Sequence, residues 1–257
     1  MSKIIVGNYC YKTDLGRVRI TNEDQAKVIL NANGRILMVV CDGMGGQNHG
    51  ELASRLALEI VEEEFLKCPY IPSPWFEKFW LRNAIKKANS AIFNEALENP
   101  IYKGMGTTFT AVLLAPKHIT VAHIGDSRAY VFKDNKLTQI TSDQTYVAYL
   151  ARVGNLSEED MEKHPKKHVL LNALGVYPSL SCDLKTFKYE GEHILLCSDG
   201  LFNNIPLSDL ESIIKTNETP QQKTDQLISL ANANGGSDNI AISYWEAKKT
   251  WLLNSDL

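Results

Sequence analysis

The sequence predicts an α+β protein in which two antiparallel β-sheets pack face to face between covering helices. Several strand-like apolar runs follow one another with breaks of hairpin size, which favours antiparallel pairing. Long helical patterns come in pairs instead of alternating with single strands, so they are expected to form layers outside the sheets. With 257 residues, of which 44% are apolar, the chain is large enough to form such a core without disulfides.

An apolar hairpin is the first predicted element. The runs AKVIL and ILMVV are separated by a segment that contains Asn33 and Gly34, a dipeptide typical of hairpin turns. Two helical patterns follow, over about residues 51–66 and 75–97. In both, apolar residues recur at the spacing of one helix face, so both helices are expected to pack on a sheet.

The second half of the chain returns to strands, which are TTFTAVLLA, HITVAHIG, SRAYVFKD and KLTQI. Residues 143–174 are polar and irregular, and they are expected to form an insertion. Two strands, SCDLKTFKY and EHILLCSDG, then precede two helices. The second helix has a predicted capping box at Thr219 and Gln222, with Pro220 at its first position. The strand NIAISYWEA completes one domain over residues 1–257.

Composition and charge argue against several kinds of partner. The formal net charge of −3 offers no broad basic surface for nucleic acid. No apolar run is long enough to span a bilayer, and the first residues lack the pattern of a signal peptide. Five cysteines without a CxxC pair are typical of a reducing compartment. We therefore expect a cytoplasmic monomer that binds neither nucleic acid nor membrane.

Four aspartates lie where predicted strands begin or end. Asp42, Asp126 and Asp199 follow apolar strands and Asp238 precedes the last one, each near Gly or Ser. Turn formation would explain any one of them. Together they predict a carboxylate cluster, in which burial raises each pKa and a divalent cation is the simplest compensating charge. Oxygen ligands favour Mg²⁺ or Mn²⁺ over Zn²⁺, and a pair of such ions suits phosphoryl chemistry.

Other catalytic motifs are incomplete. Glu51 stands where a P-loop requires lysine, and no cysteine is followed by arginine at the spacing of a cysteine phosphatase. GDSRA, which begins at Gly125, lacks the final glycine of a serine-hydrolase motif. His164 and His168 have a spacing found in zinc sites, but Pro165 interrupts the turn between them. The aspartate cluster is therefore the strongest catalytic candidate.

Eight blocks of the sequence, taken in order, resemble those of the metal-dependent protein serine/threonine phosphatases, the protein phosphatase 2C family, in their compact bacterial form. The blocks are TDLGRVRITNEDQ, VVCDGMGGQNHGELAS, GMGTTFTAVLL, AHIGDSRAYVF, LTQITSDQT, LNALG, LLCSDGLFN and GGSDNIAI. The resemblance extends from Thr13 to Trp245. It implies a four-layer α-β-β-α sandwich, with the insertion over residues 143–174 as the flap of the family.

The resemblance also implies a set of oxygen ligands around two Mn²⁺ or Mg²⁺ ions. Asp42 would bridge the ions, and the carbonyl of Gly43 would bind the second of them. Asp199 and Asp238 would complete the first site. Asp24 would hold the second ion through water.

Further roles follow from the same resemblance. Asp126 with Asp199 would form a weaker third metal site. Arg19 would bind the substrate phosphate, since guanidinium contacts phosphate oxygens in pairs. A hydroxide between the two ions would then attack phosphorus without a covalent intermediate. Met44 occupies the position of a histidine that is the proposed leaving-group acid in animal relatives, so that acid is absent here.

The predicted activity is hydrolysis of phosphoserine and phosphothreonine on proteins, opposing a serine/threonine kinase. Two alternatives remain open: a pseudophosphatase that binds a partner without catalysis, and a phosphatase for small phosphoesters. Gln144, Thr145 and Asn172 depart from the family pattern at the borders of the flap. Substrate preference is therefore the part of the prediction that the resemblance supports least.

Overall fold

Eleven strands form two antiparallel sheets in the computed structural model, which describes residues 5–45, 49–68, 73–161 and 163–248. In spatial order, sheet I consists of β1 (Gly7–Asp14), β11 (Ile240–Ala247), β10 (His193–Cys197), β7 (Arg128–Lys133) and β8 (Lys136–Gln139). Sheet II consists of β2 (Asp24–Leu30), β3 (Ile36–Met44), β5 (Phe109–Ala115), β6 (His118–Ile124) and β9 (Asp183–Lys188), with the short β4 (Gly106–Thr107) paired to β3.

Helices cover the outer faces of both sheets. On sheet II lie α1 (Gly50–Lys67) and α2 (Pro74–Glu98), and on sheet I lie α6 (Leu207–Ile214) and α7 (Pro220–Ala233). Shorter helices are α3 (Tyr146–Arg152), α4 (Glu158–Met161), α5 (Asp199–Phe202) and a 3-10 turn at Pro100–Tyr102. The predicted α-β-β-α sandwich is confirmed. None of the described helices combines the length and apolarity needed to cross a bilayer.

Strand β3 shows why the central runs of the sequence are apolar without alternation. Residues 36–41 are all buried, because both faces of the strand are covered. Met38 and Val40 belong to the apolar cluster between the two sheets, whereas Leu37 and Val39 belong to the cluster beneath α1 and α2. Successive side chains of a strand point to opposite faces, so a strand between two layers needs apolar residues at every position.

Strand β1 was not predicted, because its sequence GNYCYKTD lacks a clear apolar alternation. Only Cys10 of this strand is buried. Its structure depends on pairing with β11, which runs from Gly7 opposite Ala247 to Asp14 opposite Ile240. The predicted capping box at the start of α7 is present, by contrast, since it needs only residues close in sequence.

Candidate active site

Antiparallel register brings the predicted aspartates to one edge of the sandwich. In sheet II, Asp24 at the start of β2 lies opposite Asp42 near the end of β3. In sheet I, β10 pairs with both β7 and β11. Asp199 lies two residues after β10, while Asp126 and Asp238 lie two residues before β7 and β11. All five carboxylates therefore belong to the same edge of the fold.

A cavity of about 660 Å³ opens at this edge. Six of the seven predicted site residues line it, and they are Arg19, Asp42, Gly43, Asp126, Asp199 and Asp238. Residues His168, Val169 and Leu170 of the 143–174 segment also line it. The predicted site is thus one surface, to which widely separated parts of the chain contribute.

Asp24 is the predicted residue that does not line the cavity. Its side chain is buried and accepts a hydrogen bond of 2.6 Å from the Ser198 hydroxyl. Its neighbour Glu23 lines the cavity instead, and the Glu23 carboxylate accepts a hydrogen bond of 3.0 Å from the Gly50 amide at the start of α1. The structure therefore places Glu23 at the cavity wall and Asp24 behind it.

Burial and mutual repulsion perturb the acids of the cavity. Burial, followed by the charges of Asp24 and Asp199, raises the pKa of Asp42 well above its usual range. Burial and the Asp199 charge raise the pKa of Asp126 to about 7, and burial and the Asp238 charge raise that of Asp199 to about 6. The positive charges near the cluster, such as that of Arg19, therefore do not outweigh burial and repulsion at these three acids.

Arg19 lies in the loop between β1 and β2, and its Nη2 is 2.7 Å from Asp238 Oδ2. Burial lowers the pKa of Arg19, but the charge and hydrogen bond of Asp238 outweigh this effect and leave the pKa raised. Asn239 fixes both ends of the loop, because its Nδ2 donates to the carbonyls of Leu15 and Thr21 at 2.9 Å. The guanidinium is thus charged and held beside the acids.

The backbone at Asp42 and Gly43 is also held in place. The Asp42 amide donates to Thr108 Oγ1 at 2.9 Å, and the Thr108 amide donates to the Asp42 carbonyl at 2.8 Å. At Gly43, an added Cβ would lie only 2.2 Å from the Gly50 carbonyl oxygen and 2.5 Å from that of Glu23. Glycine is therefore required by close packing at this position.

Several groups that contact the predicted acids were not recognised in the sequence. Asn203 Nδ2 donates to Asp199 Oδ2 at 3.1 Å, and His168 Nδ1 is 4.0 Å from the same oxygen. Ser198 and Asn239 each adjoin a predicted aspartate in sequence, and this adjacency could have identified them as neighbours of the site. Thr108 and Asn203 gave no comparable signal, because their roles depend on contacts across the fold.

Comparison with known proteins shows the family. A model of the protein phosphatase 2C family matches residues 16–241 of the chain.

The chain belongs to the protein phosphatase 2C family.

Relatives within the phosphatase 2C family are similar over most of their length. The serine/threonine phosphatase stp of Listeria monocytogenes is 36% identical, over 90% of this chain and 92% of its own. The crystal structure of Stp1 from Staphylococcus aureus has a TM-score of 0.90 and 32% identity, and covers 96% and 98% of the two chains. The PstP catalytic domain in complex with two manganese ions has a TM-score of 0.81 and 32% identity, over 93% and 97%. The predicted enzyme class, a protein serine/threonine phosphatase, is confirmed.

The donor set of this phosphatase 2C chain suits a hard divalent cation. The acidic groups of the cavity offer only carboxylate oxygens, which Mg²⁺ and Mn²⁺ accept, and the manganese-bound relative supports metal dependence. In the described part of the chain, no three His, Cys, Asp or Glu side chains form a ready coordination shell. The match between these residues and a divalent cation therefore depends on the oxygen donors and their negative charge, not on a preformed coordination geometry.

Two of the three departures at the borders of the 143–174 segment, Gln144 and Asn172, are hydrogen-bonded to each other. The Gln144 side-chain oxygen accepts hydrogen bonds from the Gly125 amide at 3.1 Å and from Asn172 Nδ2 at 2.9 Å. Asn172 also donates to the Ser181 carbonyl at 2.6 Å, and the Thr145 hydroxyl caps α3. Gln144 thus connects the segment to Gly125, the residue before Asp126, and Asn172 connects it to Ser181.

Proposed function

We propose that this phosphatase hydrolyses phosphoserine and phosphothreonine on proteins with a pair of Mn²⁺ or Mg²⁺ ions, opposing a serine/threonine kinase. The observation that carries the proposal is the shared cavity, in which Asp42, Asp126, Asp199 and Asp238 lie beside the guanidinium of Arg19. The acids suit the ions, and the guanidinium suits the phosphate. A weaker third ion at Asp126 and Asp199 belongs to the same proposal.

The position of each residue in the cavity suggests its role in the proposed reaction. Arg19 would orient the phosphate, since its guanidinium lies at the cavity wall and remains charged. Asp42, Asp199, Asp238 and the carbonyl of Gly43 would hold the ions. When bound, the ions would supply a hydroxide nucleophile at neutral pH and offset the charge of the transition state.

The structure suggests a revised role at the second ion. The family resemblance implied that Asp24 makes the water-mediated contact, but Glu23 is the acid that lines the cavity. We propose that Glu23 contacts the bound water. Asp24 would act from behind through its hydrogen bond with Ser198. A single domain with a flap over residues 143–174, a monomeric state and a cytoplasmic location stay predictions.

The test is phosphate release from phosphothreonine peptides and from p-nitrophenyl phosphate. We expect activity with Mn²⁺, loss of activity with EDTA, and loss of about a hundredfold or more in Asp42→Asn. Glu59→Gln, an exposed substitution on α1, is the matched control and should retain activity. Activity that survives both EDTA and Asp42→Asn would refute the metal mechanism.

The same assay separates the alternatives. Tight phosphopeptide binding without turnover would identify a pseudophosphatase. Turnover confined to metabolite-sized phosphoesters would identify the small-substrate enzyme.

A further inference from the structure

Two aliphatic side chains beside Arg19 are unusually exposed. Val18 is 66% exposed and Ile20 is 93% exposed. Their loop is not free, because Asn239 holds it at Leu15 and Thr21, and the Arg17 amide donates to the Gly236 carbonyl at 2.8 Å. Ile20 therefore stands in water on a fixed loop, next to the proposed phosphate-binding residue.

A second part of the cavity wall, in the 143–174 segment, also carries exposed aliphatic side chains. Val169 lines the cavity and is 46% exposed, and Leu171 is 50% exposed. This strand-like stretch is also fixed, because the Tyr146 amide donates to the Val169 carbonyl and the Leu171 amide donates to the Gln144 carbonyl, both at 2.8 Å. Apolar surface thus borders the charged cavity from two separate parts of the chain.

We infer that these two walls form an apolar rim, defined by Val18, Ile20, Val169 and Leu171, that binds the residues next to the phosphorylated residue of a protein substrate. The inference rests on the proposed function and names a substrate class for it. The preferred substrate is an extended segment with aliphatic or aromatic residues on either side of phosphothreonine or phosphoserine.

Continuity with the cavity favours this occupant over others. Arg19 lies between Val18 and Ile20 in sequence and lines the cavity, and Val169 lines it directly. A substrate whose phosphate reaches Arg19 therefore brings its neighbouring residues close to these side chains. Apolar neighbours would remove rim surface from water, which is favourable in proportion to the area buried. Polar neighbours would gain little from these side chains.

The fixed backbone of both walls adds to the effect. Because the loop and the strand-like stretch are already held by hydrogen bonds, little ordering is required when a peptide binds. Binding energy from groups beside the reacting phosphate can then contribute to kcat/KM. A small phosphoester lacks the flanking residues and cannot use this energy.

The test compares two phosphothreonine peptides that differ only at the flanking positions, with Leu in one and Ser in the other. We expect the unmodified chain to prefer the Leu peptide by about tenfold in kcat/KM. Ile20→Ser and Val169→Ser should each reduce this preference by about threefold or more, mainly through KM. Leu97→Ser is the control, since Leu97 is 71% exposed on α2 and outside the cavity lining, and it should leave the preference unchanged.

The possible outcomes distinguish failure of the apolar rim from failure of the proposed function. Equal rates on the two peptides, with p-nitrophenyl phosphate still hydrolysed, would overturn the rim and leave the proposed function intact. Failure to hydrolyse any of the three substrates would overturn the proposed function first, and the rim with it. If Ile20→Ser changes the sedimentation of the chain but not the peptide preference, the rim joins two copies of the chain and the inference is wrong.

Discussion

Replacing Asp199 with asparagine should make the metal-free protein more stable while it removes metal-dependent activity. The Asp199 side chain is only 15% exposed, and burial together with Asp238 raises its pKa from 3.8 to about 6. Asparagine has nearly the same shape but carries no charge. The substitution therefore removes repulsion that the folded, metal-free state would otherwise retain.

The magnitude and its pH dependence follow from linkage. Between pH 4 and pH 6 the folded state binds more protons at Asp199 than the unfolded state does, so stability falls as the pH rises through this window. The difference of about two pKa units corresponds to about 3 kcal/mol at pH 8. At pH 4 the carboxyl is protonated in the folded state and partly ionised in the unfolded state, so the expected gain falls to about 0.5 kcal/mol.

Urea unfolding in EDTA at pH 4 and pH 8 measures this gain. Asp225→Asn is the control, because Lys12 and Gln221 lower the pKa of that exposed aspartate, and its loss should give no gain in stability. Added Mn²⁺ should raise the midpoint of the unmodified chain at pH 8 but not that of Asp199→Asn. If Asp199→Asn is no more stable than the unmodified chain at pH 8, repulsion within the cluster is not the dominant force there.

Three further predictions concern single residues. Arg19→Ala should lower kcat/KM on phosphopeptides by about a hundredfold, and Arg19→Lys by less, because lysine keeps the charge but loses the paired contacts. Gly43→Ala should lower the free energy of unfolding by about 1–3 kcal/mol in a urea titration, since its methyl group would meet the Gly50 carbonyl. Glu77→Gln should cost about 3 kcal/mol in the same titration, because Arg35 and His118 share this fully buried carboxylate.

Each of these predictions has a control residue at an exposed position elsewhere in the chain. Arg55→Ala, at an exposed position on α1, should leave kcat/KM unchanged. Equal losses of kcat/KM in Arg19→Ala and Arg55→Ala would argue against phosphate binding by Arg19. Gly34 has no atom within 4 Å of an added Cβ, but its positive φ adds strain, so Gly34→Asn is the milder comparison for Gly43→Ala. Glu63→Gln should leave the free energy of unfolding nearly unchanged, because Glu63 is exposed on α1. Equal losses in Glu77→Gln and Glu63→Gln would argue against a special role of the buried carboxylate.

Local sequence patterns were sufficient to predict most helices and strands of the fold. The capping box at Thr219 needs only neighbouring residues, and the hairpin of β2 and β3 needs only a turn and two apolar runs. Strand β1 shows the limit, because its sequence has little β signal and its structure depends on a partner more than 200 residues away. Pairing of that kind depends on the whole sheet.

The sequence by itself predicted that four aspartates form a cluster, because each one adjoins a strand end and carries a charge that is costly to bury. Tertiary structure decided their arrangement. Antiparallel register set Asp24 opposite Asp42, and the buried Asp24 carboxylate accepts a hydrogen bond from Ser198, whereas Glu23 lines the cavity. It also decided that Thr108 and Asn239 hold the backbone of the site and that Ile20 stays in water beside Arg19. These contacts join residues far apart in sequence, so only the packed sheets could specify them.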